Sequence, residues 1–291
     1  MGEKFKMARY IVQQHCYTRA KRGLFRQSEG YDTVAHSAGL TESFIKERLH
    51  PFCYYHPSRI LQAKRVSAAE FPVVRTVVHF PEGLTMLGQT VYVERDFTGQ
   101  RPAFFTHNLV LPSMPGFFPG MVNWSEFLTG WNGGLPNGEL LSELESLPFT
   151  DPAPESEGPL PFDNDWLDEL VEAVLESVAG TKKIYVTLPG LDWVDPMLMW
   201  LYGRLPKEAA QILGFTTYSR EPVNKKFLHL VFMDRGSLDG TNIDKIERDY
   251  IFDFDNGFFH VPEPLPPEED IPIKNEPEEG TLAKLLRKFQ R

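Results

Sequence analysis

The chain has 291 residues, of which 42% are hydrophobic, enough for one large or two ordinary domains with a sizeable core. A formal net charge of -10 argues against general affinity for nucleic acid, and the longest apolar stretch, around Pro196–Tyr202, falls far short of the roughly 20 residues of a membrane span. Two cysteines, Cys16 and Cys53, are too few for a disulfide framework, and the first residues, Met1–Lys6, are too polar to begin a secretory h-region, so a reducing cytoplasm is the expected compartment.

In chain order, Ala8 to Tyr17 reads as a strand, a basic loop follows, and Tyr31 to Ala35 reads as a second short strand. Thr41 offers an N-cap for a helix through Phe44, Ile45 and Leu49, which Pro51 is expected to stop. Val73–Phe80 and Thr85–Val93 have the β-branched content of strands, and Pro81-Glu82-Gly83 supplies the turn of a hairpin. Ala103–Leu111 reads as another strand, buried on at least one face. Pro148–Pro161 mixes prolines, acids and small residues, which stiffens the chain and denies it a core, so the domain boundary is placed there.

The clearest helix follows. Asp163 or Asn164 caps it, Asp165, Asp168 and Glu169 load its first turns with negative charge, and Trp166, Leu170, Val174 and Val178 mark its apolar stripe before Gly180. Next come a strand from Lys182 to Leu188, a helix from about Asp195 to Arg204 and a shorter one opened by Pro206 and closed by Gly214. Strands are expected at Phe215–Ser219, Phe227–Met233 and Tyr250–Phe254. Beyond Pro262 the composition is that of a solvated Glu/Pro linker. Leu282, Leu285, Leu286 and Phe289 then recur at i, i+3, i+4 and i+7 among Lys284, Arg287, Lys288 and Arg291, the pattern of a short basic amphipathic helix.

Charge is unevenly spread: residues 1–75 carry thirteen Lys and Arg against six Asp and Glu, whereas residues 139–180 carry twelve acids and no base. Within the first block, Arg19, Lys21, Arg22 and Arg26 surround an aromatic, Phe25, and a glycine, Gly23. They can hold a phosphate or an acidic partner face, dock onto residues 139–180, or form a solvated loop, the reading that weighs most. The C-terminal stripe can likewise pack onto the second domain or reach a partner or an anionic surface.

Catalytic spacings are scarce. No G-x-x-x-x-G-K-[ST] occurs, and Asn224-Lys225-Lys226-Phe227 starts like a guanine-reading loop but lacks its closing aspartate. No G-x-S-x-G elbow occurs either. Asp253-Phe254-Asp255 can serve as a metal-holding D-x-D pair with both carboxylates on one strand face, but Asp255-Asn256-Gly257 is also hairpin-turn chemistry, and the turn weighs more. His15, Cys16, His36, His50, Cys53 and His56 are enough side chains for a zinc site or a thiol nucleophile. Their spacing fits no paired template, so ordinary placement is the stronger reading. No catalytic, cofactor-binding or metal residue is assigned on these grounds.

Four segments carry a family resemblance: Gln13-Gln14-x-x-Tyr17-Thr18-Arg19-x-x-x-Gly23, Glu29-Gly30-Tyr31-Asp32-Thr33-Val34-Ala35, Leu49-His50-Pro51-Phe52-Cys53, and Asp96-Phe97-Thr98-Gly99-x-Arg101-x-Ala103-Phe104-Phe105-x-His107-Asn108. Together they resemble the N-terminal domain, type 2, of the bacterial GTPase-associated protein family. Ser177–Tyr185, Leu201–Pro206, Leu213–Tyr218 and Asp249–Phe254 resemble the family's middle domain. The resemblance implies an adaptor-like protein encoded beside GTPases in bacterial NTP-dependent conflict (defence) systems, with no catalytic residues to carry over.

The expected fold class is α+β, a β-rich N-terminal domain (1–147) followed, after a Pro/acid linker (148–162), by a smaller mixed α/β domain (163–262). An acidic Pro-rich linker (263–280) and the basic helix (281–291) complete it. The expected function is a cytoplasmic, non-enzymatic interaction protein that docks a GTPase or another protein of its gene neighbourhood. No cofactor, nucleic acid or membrane span is expected. Its candidate contacts are Arg19, Lys21, Arg22, Arg26, Leu282, Leu285, Leu286 and Phe289. The alternative is a metal-dependent transferase or nucleotide-processing enzyme using Asp253 and Asp255.

Overall fold

The computed structural model describes residues 11–114, 117–130, 140–144, 160–238 and 245–262. Strands β1 (Gln13–Ala20) and β2 (Gly30–Ser37) pair antiparallel, with a register shift after Cys16. Arg19, expected in the basic loop, therefore lies on β1 opposite Tyr31. Helix α1 (Glu42–Phe44) starts where Thr41 accepts a hydrogen bond from the Phe44 N–H, then continues as a π turn (Ile45–Leu49) and a 3-10 turn (His50–Phe52). Pro51 does not stop the run as expected. It occupies a first-turn position of the 3-10 segment, where a missing N–H leaves no helical bond unmade.

A short helix not foreseen from the sequence, α2 (Arg59–Lys64), leads towards β3 (Val74–Phe80), which forms the expected hairpin with β4 (Leu84–Val93). Next come β5 (Ala103–Pro112), which pairs with both β4 and β1, and the two-residue β6 (Leu140–Leu141) beside β2. Helix α3 (Asn164–Ala179) is capped by Asp163, whose side chain accepts from the Asp165 N–H, and buries Leu167, Leu170, Ala173 and Val174. After it come β7 (Ile184–Thr187), α4 (Val194–Arg204), α5 (Lys207–Ala210), β8 (Phe215–Ser219), β9 (Leu230–Met233), β10 (Tyr250–Asp253) and β11 (Phe258–His260). Strand β9 begins later than expected because Phe227 is left-handed, at φ 66°, a conformation a strand cannot contain. Its ring stands edge-on to Phe80 with centroids 5.9 Å apart.

All eleven strands form one sheet, in the order β11-β10-β7-β9-β8-β3-β4-β5-β1-β2-β6. Strands β10, β7, β9 and β8 are parallel, whereas β3, β4, β5, β1 and β2 are antiparallel neighbours. The two halves meet where β3 pairs antiparallel with β8 through Thr76↔Thr216 and Val77↔Phe215. The Thr76 and Thr216 hydroxyls hydrogen-bond across this join at 3.1 Å, and the Arg75 N–H donates to Thr217 Oγ1 at 2.9 Å. Close approach here needs a glycine: a Cβ on Gly214 would lie 1.9 Å from the Phe227 carbonyl oxygen.

Apolar layers cover both faces and cross the join. On one face Val12, Val77, Leu87 and Leu109 share a core with Leu170, Val174, Leu198 and Leu230, and Leu160 is buried in the same layer. On the other, Ile45, Leu49, Val78 and Met86 pack with Tyr185, Val231 and Ile251. Burying each such aliphatic side chain contributes about 1.5–3 kcal/mol, so these layers hold the halves together more strongly than the short β3–β8 ladder. Covered faces also explain why β7, β9 and β10 read as largely apolar runs rather than alternating ones, and why β8, Phe-Thr-Thr-Tyr-Ser, is buried along its whole length. Among the described residues, no helix is long and apolar enough to cross a membrane.

Candidate functional site

Two polar constellations stand out from this apolar frame, and the first is sealed. Cross-strand pairing sets His15 of β1 opposite Asn108 of β5, and the π and 3-10 turns lay His50 and Cys53 over them. The Asn108 amide donates to His15 Nδ1 at 3.0 Å and to Cys53 Sγ at 3.3 Å. With its ring proton then on Nε2, His15 donates to Thr33 Oγ1 at 2.9 Å, and that hydroxyl donates to His50 Nε2 at 2.8 Å. Cys53 completes the chain by donating to the Leu49 carbonyl at 3.3 Å. Every link joins neutral groups. Burial, reinforced by His50, holds His15 well below the ordinary imidazole value, and burial pushes the Cys53 thiol up to about 12. A thiol so placed is not a nucleophile at neutral pH. Asn108 Oδ1 lies against Gly88, where a Cβ would sit only 2.6 Å away.

The other expected ligands are elsewhere. Cys16 points to the opposite face and packs with Val34, Ala35 and Phe105, its thiol also raised to about 12 by burial. His36 donates to the Ser37 carbonyl, and His56 approaches Glu221 at 4.0 Å. On the Cys16 face, His107 Nε2 donates to Gln14 Oε1 at 3.1 Å while its Nδ1 accepts the Leu128 N–H at 3.1 Å. No group of three or more His, Cys, Asp or Glu side chains among the described residues is arranged to hold a metal ion.

Asp253 and Asp255 do not share a strand face. Asp253 ends β10 and caps the following turn: its Oδ1 accepts from Thr187 Oγ1 at 2.6 Å and from the Asn256 N–H at 3.0 Å, and its Oδ2 accepts from Asn256 Nδ2 at 2.8 Å. Asp255 lies in that turn and pairs with Arg235 at 2.8 Å. Among the basic residues, Arg19 is engaged by Glu29 and by the buried Asp96, whereas Lys21, Arg22 and Arg26 are exposed. The loop that carries those three is pinned. Gly23 N–H donates to the Arg26 carbonyl, Leu24 N–H to the Thr33 carbonyl, and Phe25 N–H to the buried Asp32 carboxylate at 2.8 Å. Leu282, Leu285, Leu286 and Phe289 lie outside the described residues.

The second constellation is an open cleft at the join, which the sequence reading missed. Strand alternation puts Arg75 on the same face as Val77, towards α4, and Asp195 lies in the first turn of that helix. Arg75 Nη1 approaches both Asp195 oxygens, at 3.0 and 2.8 Å, and the Arg75 guanidinium lies 5.6 Å from the Trp124 ring centroid. Beside this pair is a cleft of about 330 Å³ whose walls include Phe118, Trp124, Met199, Tyr202 and Phe215. A smaller hollow of about 140 Å³ shares Arg75, Asp195 and Thr217 with it, so the ion pair stands between the two spaces. One signal in the sequence could have pointed here: a lone arginine inside the apolar run Val73-Val74-Arg75-Thr76-Val77.

Comparison with known families follows the same division of the chain. Residues 11–147 match the model for GTPase-associated protein 1, N-terminal domain type 2, and residues 155–256 match that for the GTPase-associated protein 1 middle domain. No curated protein and no solved structure matches the chain. The cleft is thus built from both domains, with Arg75 and Trp124 from the first and Asp195 and Met199 from the second. Matching two successive domains of one family over most of its length, the chain belongs to the GTPase-associated protein 1 family.

Proposed function

We propose that this chain is a cytoplasmic, non-enzymatic adaptor that docks a GTPase of its own bacterial NTP-dependent conflict (defence) system. The observation that carries this reading is the contrast between its sealed and exposed polar groups. The His15–Asn108–Cys53 network is neutral and buried, whereas Lys21, Arg22 and Arg26 stand exposed on a loop held by backbone and Asp32 hydrogen bonds. A pinned cationic loop suits an acidic partner face, because its charges are already positioned and electrostatic steering speeds encounter. Membership in a family described as GTPase-associated makes a GTPase the partner of choice. Leu282, Leu285, Leu286 and Phe289 are the proposed second contact, an apolar stripe of the kind that seats in a partner groove.

The test is co-purification with the GTPase encoded beside this chain, loaded with GDP or with a non-hydrolysable GTP analogue. A complex is expected in at least one state, and the triple variant Lys21→Glu, Arg22→Glu, Arg26→Glu should weaken it at least tenfold with an unchanged thermal melt. Absence of a complex in both states would overturn the adaptor reading. A triple variant that binds like the parent would remove the loop as its surface.

A further inference from the structure

The cleft at the β3–β8 join has the makings of a ligand site independent of the adaptor reading. We propose that it binds a small amphipathic anion, with a flat apolar ring system seated against Trp124 and Met199 and a carboxylate, sulfonate or phosphate group on Arg75.

Size and lining define the apolar part. A volume of about 330 Å³ lies at the lower end of ordinary ligand pockets, which run from about 300 to 1,000 Å³. That suits one or two fused rings. Phe118, Trp124, Met199 and Tyr202 present ring and thioether surface, which favours a flat apolar body.

Arg75 defines the charged part. Only its Nη1 engages Asp195, and its Nε and Nη2 have no hydrogen-bond partner among the described residues. The Nε/Nη2 edge is the one that can hold two oxygens of a carboxylate, sulfonate or phosphate in parallel. The two members of the ion pair differ in how firmly they are held. Arg75 is the less exposed, at 31%, and its backbone is tied to Thr217 while its guanidinium lies over Trp124. Asp195 is 62% exposed, so its attraction for Arg75 is screened by water and readily replaced. Arginine is therefore the fixed element and aspartate the exchangeable one, which selects an anion over a cation.

Two fluorescent probes that differ only in charge test this on the full chain: 1-anilinonaphthalene-8-sulfonate and its uncharged parent, N-phenyl-1-naphthylamine. The sulfonate probe should bind one saturable site more tightly than the parent. Arg75→Gln should weaken the sulfonate at least tenfold and leave the parent within twofold. Asp195→Asn should tighten the sulfonate several-fold, again without changing the parent. A loosened fold would raise binding of both probes, so the ratio between them separates a charge-specific site from partial unfolding. Equal binding of the two probes, or a sulfonate affinity indifferent to Arg75→Gln, overturns the proposal. Should Arg75→Gln fail to fold, the Asp195→Asn arm decides, and an unchanged sulfonate affinity there overturns it as well.

Discussion

The network around His15 and the cleft around Arg75 belong to the same sheet, yet they use polar side chains in opposite ways. His15, Thr33, Asn108 and Cys53 are buried, neutral and committed to one another, so their chemistry serves to fasten the turns of residues 45–53 onto β1 and β5. Arg75 and Asp195 are charged and partly solvated, and unused donor capacity remains on the arginine. Histidines and cysteines are the residue types that first suggest a reaction, but here the access and spare hydrogen-bonding capacity lie with an arginine and an aspartate. What marks a site is what its groups have left to bind.

Acid should act most strongly on the buried imidazoles, both His15 of the network and His107 on the opposite face of the sheet. Burial pushes His107 down to about 4 and lowers His15 too, so the unfolded chain takes up protons near pH 6.5 while the folded chain resists them. Stability from these groups is fully present above pH 6.5 and is lost as pH falls towards 4, by about 3 kcal/mol for His107 alone. Urea unfolding between pH 7 and 4 measures it, and His107→Gln should reduce the slope by one imidazole's share, since His15, His79 and His229 are lowered by burial as well. A slope that ignores this substitution would show that the buried imidazoles are already open to solvent.

Next in size is Asn108→Leu, which strands His15 Nδ1 and the Cys53 thiol without a donor. A buried group left unpaired costs about 1–3 kcal/mol, so a loss of about 2–3 kcal/mol in urea unfolding at pH 7 is expected. A loss under about 0.5 kcal/mol would break the contrast, since the network would then not be structural. The smallest effect belongs to the cleft. Exposed ion pairs contribute about 0–1 kcal/mol, so Asp195→Asn should move the unfolding free energy by less than about 1 kcal/mol. A loss above about 2 kcal/mol would make the pair a structural bolt between the domains.

Much of the framework was legible in the chain. The β3–β4 hairpin, the stripe and cap of α3, and the bounds of β8 follow from periodicity, turn residues and side-chain caps acting over a few positions. Boundaries slipped where a single backbone state intervened, as at left-handed Phe227 and at Pro51 inside a 3-10 turn. The family too was readable, because its motifs are contiguous stretches such as Glu29–Ala35 and Asp96–Asn108.

Neither polar constellation could be read that way. Asn108 reaches His15 and Cys53 only through the register of β1 against β5 and the turns folded over them, and Arg75 meets Asp195 only because β3 pairs with β8. Local preferences are written in neighbouring residues, whose backbone angles and helix or strand periods depend on short-range sterics and hydrogen bonds. Which distant side chains meet is decided by how apolar layers on both faces of one sheet are buried together, a property of the whole fold that no spacing along the chain records.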